Sequence, residues 1–212
     1  MEKPTRSIRW LLWSGLALVI LTILVRFLEN RLRDGSGSEG LPTIGTVPDF
    51  SLTNQFGRRV TLEDLRGHVW VADIIFTRCP GPCEKMTREM SRLQSALPEG
   101  DSVKLVSLTA DPEFDTPEVL KEYGEKFGAR PDRWHFLTGG KTDIYGLATR
   151  GLLLAVDETK PDLRESDNDL FVHSTKFILV GRHGRIRGVY EGTEAESRPR
   201  ILEAIRTLLA GK

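Results

Sequence analysis

The chain has 212 residues, 39% of them apolar and 28% charged, and its 30 Lys and Arg balance 30 Asp and Glu for a formal net charge of +0. That size and mix describe one globular domain with an appendage. They exclude the usual nucleic-acid binder, which concentrates a basic excess on one face or displays a recognisable module.

The appendage comes first. Residues 10–25, "WLLWSGLALVILTILV", carry no charge, and after Arg26 the apolar surface continues through Phe27 and Leu28. The stretch approaches the roughly 20 residues that a bilayer demands of a helix. A cleaved signal peptide has a shorter apolar run and a small-residue cleavage site, and "RFLENRLRDGSGSEG" supplies none. A transmembrane helix at about residues 10–28 is therefore expected, within an N-terminal anchor spanning 1–33. Lys3, Arg6 and Arg9 before it are matched by Arg26, Arg31 and Arg33 after it, so charge alone leaves the orientation open. Residues 34–46, rich in Gly and Ser, read as a flexible linker. The folded domain is expected over 47–212.

Within it, "DFSLTNQFGRRVTLEDL" reads as a small hairpin turning at residues 54–57. "VWVADIIF" (69–76) is a nearly continuous apolar run suited to a central strand covered on both faces. Residues 83–97 space Met86, Met90, Leu93 and Leu97 as on a helix. "SVKLVSLTA" is a second buried strand, and "DTPEVLKEYGEKFG" starts a helix with an Asp or Thr cap and Pro117 in the first turn. There follow "WHFLTG", a helix-like "KTDIYGLATRGL", the strand "STKFILV", a turn at "GRHGR", the strand "IRGVYEG" and a last amphipathic helix to Leu209. Helices alternating with apolar strands predict an α/β domain whose sheet has a mainly parallel centre and a closing antiparallel hairpin. That element order is the one of a thioredoxin-like fold, with a central mixed sheet.

Cys79 and Cys83 are the only cysteines. They fall where the first central strand passes into a helix, and a helix N-terminus favours thiolate, the form that reacts and binds metal. Four apart at a helix start, they would share a face of its first turn. A merely stapling disulfide is weakly motivated, because closing so short a loop removes little unfolded-chain entropy. Redox and metal chemistry both remain open, and a third ligand decides between them. Of four histidines, His68, His135 and His183 read as solvated or packing residues. His173, in "FVHSTKFILV" ahead of a late strand, enters the sheet where a thioredoxin-like fold faces its cysteine motif. The acidic stretch "DETKPDLRESDND" (157–169) reads as a solvated loop, or more sharply as a mobile one that lets His173 close on a metal and docks a partner.

"FTRCPGPCEKM", "VSLTADPEFDTPEVLKEYGEKFG", "WHFLTG" and "FVHSTKFILVGRHGRIRGVYEG", behind an N-terminal anchor, resemble the Sco/SenC family of copper-binding cytochrome c oxidase assembly proteins. The resemblance implies that Cys79, Cys83 and His173 ligate copper. It also implies a thioredoxin-like domain on the outer face of an energy-conserving membrane, which for a bacterium is the periplasmic side of the inner membrane, with a single pass and the N-terminus inside. Such proteins help to mature the dinuclear copper centre of the oxidase, as metallochaperones or as thiol-disulfide reductants. The implied partners are a copper-containing oxidase subunit and a copper donor protein. The family commonly has an acidic residue where Gly81 stands, proline where Glu84 stands and Asp where Val172 stands; all three proposed ligands remain. A metallochaperone is the expected role, not an enzyme. The alternative is a thiol-disulfide oxidoreductase using Cys79 and Cys83, whose three-residue spacer departs from the two-residue thioredoxin motif. A peroxide-reducing relative is a weaker option, since Phe76 occupies the place of the Thr or Ser that such enzymes set three residues before their cysteine.

Two-sulfur, one-nitrogen donation suits copper on chemical grounds as well. Thiolates favour Cu(I), and imidazole suits both oxidation states. A structural zinc site normally takes four protein ligands.

Overall fold

A computed structural model of the protein describes residues 10, 13, 15, 18–26, 40–79, 81–159 and 170–211. Residues 18–26 are helical and their apolar side chains are exposed. Among the described residues no helix is long and apolar enough to cross a membrane; much of the 10–28 stretch lies outside the described residues. Gly40–Ala210 forms one compact unit.

Among the described residues ten strands make two sheets. The large one has the order β1-β10-β9-β4-β5-β6-β2-β3, built from β1 (Gly45–Thr46), β2 (Ser51–Asn54), β3 (Arg59–Thr61), β4 (Val69–Ile75), β5 (Val103–Thr109), β6 (Trp134–Thr138), β9 (Lys176–Val180) and β10 (Arg185–Glu191). Its centre, β4-β5-β6, is parallel, and β9-β10 is an antiparallel hairpin laid against β4, as the alternation of apolar runs predicts. The small sheet pairs β7 (Val156–Glu158) with β8 (Phe171–His173).

The β2-β3 turn is set by Asn54, whose side-chain oxygen accepts from the backbone N–H of Phe56 and of Arg58. Thr61 caps the short helix α1 (Leu62–Leu65) in a reciprocal capping box with Asp64. Helix α2 (Pro82–Ala96) and helix α3 (Pro117–Lys126) cross between the parallel strands, and each opens with proline in its first turn, where a missing N–H is no loss. Thr116 is the side-chain cap of α3. Helix α4 (Lys141–Gly146) runs on into a π-helical turn (Leu147–Gly151), and α5 (Ser197–Ala210) closes the chain.

Both faces of the sheet are covered, so β4 is buried at every position. On one face Val69 and Val71 meet Met86, Met90 and Leu93 of α2, Leu120 of α3 and Ile201, Ile205 and Leu208 of α5. On the other, Trp70, Ala72 and Ile74 pack with Leu62, Leu65, Ile144 and Leu147. Full burial of one such side chain stabilises by about 1.5–3 kcal/mol, and this two-sided core fixes where the strand ends point. The polar stretch 157–169 starts within β7; its remainder from residue 160, with the expectation of a mobile loop attached to it, lies outside the described residues.

Candidate metal centre

The carboxyl ends of parallel strands are where open α/β sheets gather ligands, and the cysteines sit at the end of β4. There the chain turns sharply: the Cys79 N–H donates to the carbonyl of Phe76 at 3.2 Å. Helix α2 starts three residues later, and its N-cap, Gly81, offers no side-chain bond. Cys79 therefore lies outside the helix. The two thiols come together because the turn folds back over the helix N-terminus, not because both occupy its first turn as the spacing predicts. Cys83 is fully buried and Cys79 partly so.

His173 arrives just ahead of β9, the strand that neighbours β4 on the side away from β5. Strand β9 runs antiparallel to β4 with Ala72 opposite Ile178, and continuing that register brings Phe76 level with Ser174. The imidazole Nε2 lies 3.0 Å from Cys83 Sγ. One ligand atom each from Cys79, Cys83 and His173 lies within 4.8 Å of the others. Among the described residues no other group of His, Cys, Asp or Glu side chains is so disposed. His68 instead reaches Asp101 at 3.3 Å, His135 is half-buried on β6, and His183 is exposed in the β9-β10 turn.

Charge divides unevenly between the thiols. A hydrogen bond from Cys83 holds the Cys79 thiol down to about 4, helped by His173 and the backbone N–H groups of Gly81 and Cys83 and opposed by burial. The sulfur of Cys79 thus takes the place of the missing N-cap side chain. Burial and the neighbouring Cys79 charge push Cys83 upward, so it keeps its proton. His173 Nδ1 lies 3.1 Å from the Ser174 carbonyl. When the ring is neutral and Nδ1 donates there, Nε2 loses the proton it shares with the Cys79 thiolate and turns a lone pair to the sulfurs, the tautomer that a metal ion requires.

Surrounding groups brace this geometry. Asp115, buried in the β5-α3 loop, accepts from the Thr77 N–H at 3.2 Å and from the hydroxyls of Thr77 and Thr109. Asp111 pairs with Arg78, whose guanidinium stacks 4.0 Å over the Phe114 ring. In α2, Thr87 donates to the Cys83 carbonyl at 2.8 Å and meets the Tyr123 hydroxyl at 2.9 Å. The sequence offers Asp115 as a helix cap, and no pattern in it marks Asp73, which lies inside β4. Asp73 is fully buried, and neither carboxylate oxygen makes a hydrogen bond of full geometry. Burial pushes it up to about 7, partly offset by Ser107 across the ladder and by His173. The signal was present: an acid within a strand covered on both faces must be paired or neutralised.

The donor set fits a single soft ion. A trigonal site with bonds of about 2.0–2.3 Å has donor-to-donor edges of about 3.5–4 Å, so the three atoms need only small displacements to close on a metal. The SCO1/SenC family profile matches residues 40–210. The chain belongs to that family. It is 37% identical over 150 residues to the SCO1 protein homolog of Bacillus subtilis (strain 168), over 70% of this chain and 75% of the relative. BsSco, a member of the Sco family of cytochrome c oxidase assembly proteins in which a disulfide switch was identified, superposes with a TM-score of 0.66 at 29% identity, over 80% of this chain and 98% of its own. Arabidopsis thaliana ScoI, solved with copper bound, superposes with a TM-score of 0.63 at 26% identity, over 77% and 98%. The mixed α/β sheet is the thioredoxin-like one of these Sco structures.

Proposed function

We propose that the chain is a membrane-anchored copper metallochaperone that serves the dinuclear copper centre of cytochrome c oxidase, taking copper from a donor protein and passing it to the copper-containing subunit. The observation that carries this reading is the convergence of two sulfurs and a metal-ready imidazole nitrogen within 4.8 Å. The copper in Arabidopsis thaliana ScoI and the oxidase-assembly family of BsSco support the ion and the client. Cys79, already a thiolate, offers the first bond. Copper displaces the Cys83 proton, and His173 Nε2 completes a trigonal set. Three protein ligands hold Cu(I) securely yet leave a face open for a client's sulfur or nitrogen to begin an exchange.

Residues 10–28 serve as the transmembrane anchor within 1–33, with 34–46 as tether and 47–212 as the copper domain on the periplasmic side of a bacterial inner membrane. A tether confines the domain to its client's surface and raises the effective concentration there. Deleting the gene in its host is expected to lower assembled oxidase, read from the reduced haem and copper absorption of membranes. Complementation by the wild type but not by Cys79→Ser supports the proposal; full oxidase in the deletion strain refutes it.

The asymmetry of the thiols favours a second reading, thiol-disulfide exchange. The Cys79 thiolate attacks one sulfur of a client disulfide and releases a client thiolate, leaving a mixed disulfide. Cys83 then gives up its proton and attacks Cys79, forming the Cys79–Cys83 disulfide and expelling the second client thiolate, so two electrons pass to the client. Failure of the reduced protein to reduce an oxidised oxidase-subunit peptide excludes this role.

A further inference from the structure

We propose that Phe76 is a positioning residue that holds the His173 imidazole over the thiols, and that by doing so it sets how strongly the centre prefers divalent over monovalent metal. The proposal rests on the copper-site reading above. Phe76 directly follows β4 and is itself 2% exposed. Its ring meets the His173 ring edge-on, with centroids 5.7 Å apart at 89°, and meets the Phe171 ring at 5.1 Å and 68°. Phe171 and His173 stand two apart on β8 and so project from one face of it. A single wedge, Phe76, supports both. The same residue's carbonyl accepts from the Cys79 N–H, so the segment that presents one sulfur also orients the nitrogen.

The wedge matters because β8 is short and lies outside the large sheet. It pairs with β7 in a two-stranded sheet apart from the eight-stranded one, and strands that short are marginal without packing. The two thiolates are sufficient for soft Cu(I), which accepts low coordination numbers. A divalent ion depends more on the imidazole nitrogen. Loosening His173 therefore lowers divalent affinity and leaves monovalent affinity nearly intact. Loss of one edge-on aromatic contact corresponds to a change of about threefold to tenfold.

The test uses the full chain, reduced and without oxygen, as wild type, Phe76→Leu, Phe76→Tyr and Phe171→Leu. Co(II), which does not oxidise thiolates, is the divalent probe, and Cu(I) is titrated against a competing chelator. The His173 ring signals are followed by NMR in metal-free protein. In Phe76→Leu we expect those signals to shift and broaden, Co(II) binding to weaken by about threefold to tenfold, and Cu(I) binding to change by less than about twofold. Phe76→Tyr restores wild-type values. Should Phe76→Leu not fold, Phe171→Leu must show the same selective loss. Equal weakening for both ions makes Phe76 a core residue only and overturns the proposal, as do an unmoved His173 signal or unchanged Co(II) affinity in the leucine variant. A wild-type protein that takes up neither ion refutes the copper reading itself.

Discussion

Replacing Asp73 by Asn should flatten the protein's loss of stability toward neutral pH. Asp73 is raised from 3.8 to about 7 because it is wholly buried. The folded state therefore prefers the neutral acid. Stability owed to that preference is complete below the unfolded value of 3.8 and is lost as pH rises through about 7. A difference of about three pKa units at 1.36 kcal/mol each amounts to about 4 kcal/mol. Asn cannot ionise. Its amide stands beside Ser107 in the same buried pocket, and whatever burial costs it is the same at every pH. The quantity to follow is thus the stability difference between wild type and Asp73→Asn, from denaturant unfolding of the reduced, metal-free protein at steps from about pH 4 to about pH 8. It should move in favour of the variant by about 4 kcal/mol across that range and level off above about pH 7. Titrations common to both proteins cancel. A difference that stays flat shows that Asp73 has an ordinary carboxylate pKa in the folded protein and refutes the account of its burial.

Cys79, held down to about 4, should be alkylated by iodoacetamide at a rate nearly independent of pH from about pH 8 to about pH 5, where an ordinary thiol slows about tenfold per unit; mass mapping that finds a midpoint near 8–9 contradicts the assignment. Cys83, buried and kept protonated, should be modified only on unfolding. Asp115→Asn puts an NH2 group where an oxygen accepts, leaving one of the Thr77 or Thr109 donors unsatisfied. The variant is expected to be less stable by about 1–3 kcal/mol in denaturant melts, and an unchanged midpoint removes Asp115 from the bracing network.

The features legible in the sequence are those with long or repeated patterns. The buried run of β4, the Met86-Met90-Leu93 spacing of α2 and the Thr116-Pro117 start of α3 each repeat a physical requirement over many residues, and the structure keeps them within a residue or two. His173 stands out in the sequence by its place ahead of a late strand, and its role as a ligand comes from the family resemblance; the antiparallel pairing of β9 with β4 accounts for its place beside the cysteines. The small β7-β8 sheet was not seen: two three-residue strands on either side of an acidic stretch are too short for any periodicity to register. The π-helical turn after α4 and the two-residue β1 have the same defect. The cysteines met for a reason other than the one their spacing offers, since a four-residue interval reads as helix, and only the Phe76–Cys79 turn shows that the first sulfur caps the helix from outside. Asp73 was hidden by its neighbours, six apolar side chains that make the strand look continuous.

The most direct test of the central claim is an anaerobic copper titration of the reduced protein, with metal analysis and absorption spectra, repeated on Cys79→Ser, Cys83→Ser and His173→Ala. We predict one copper per wild-type chain with thiolate-to-metal absorption, loss of stable binding in both serine variants, and in His173→Ala a strong weakening for Cu(II) with the dithiol still able to oxidise. Unchanged affinity and spectrum in the His173→Ala protein would contradict a three-ligand centre.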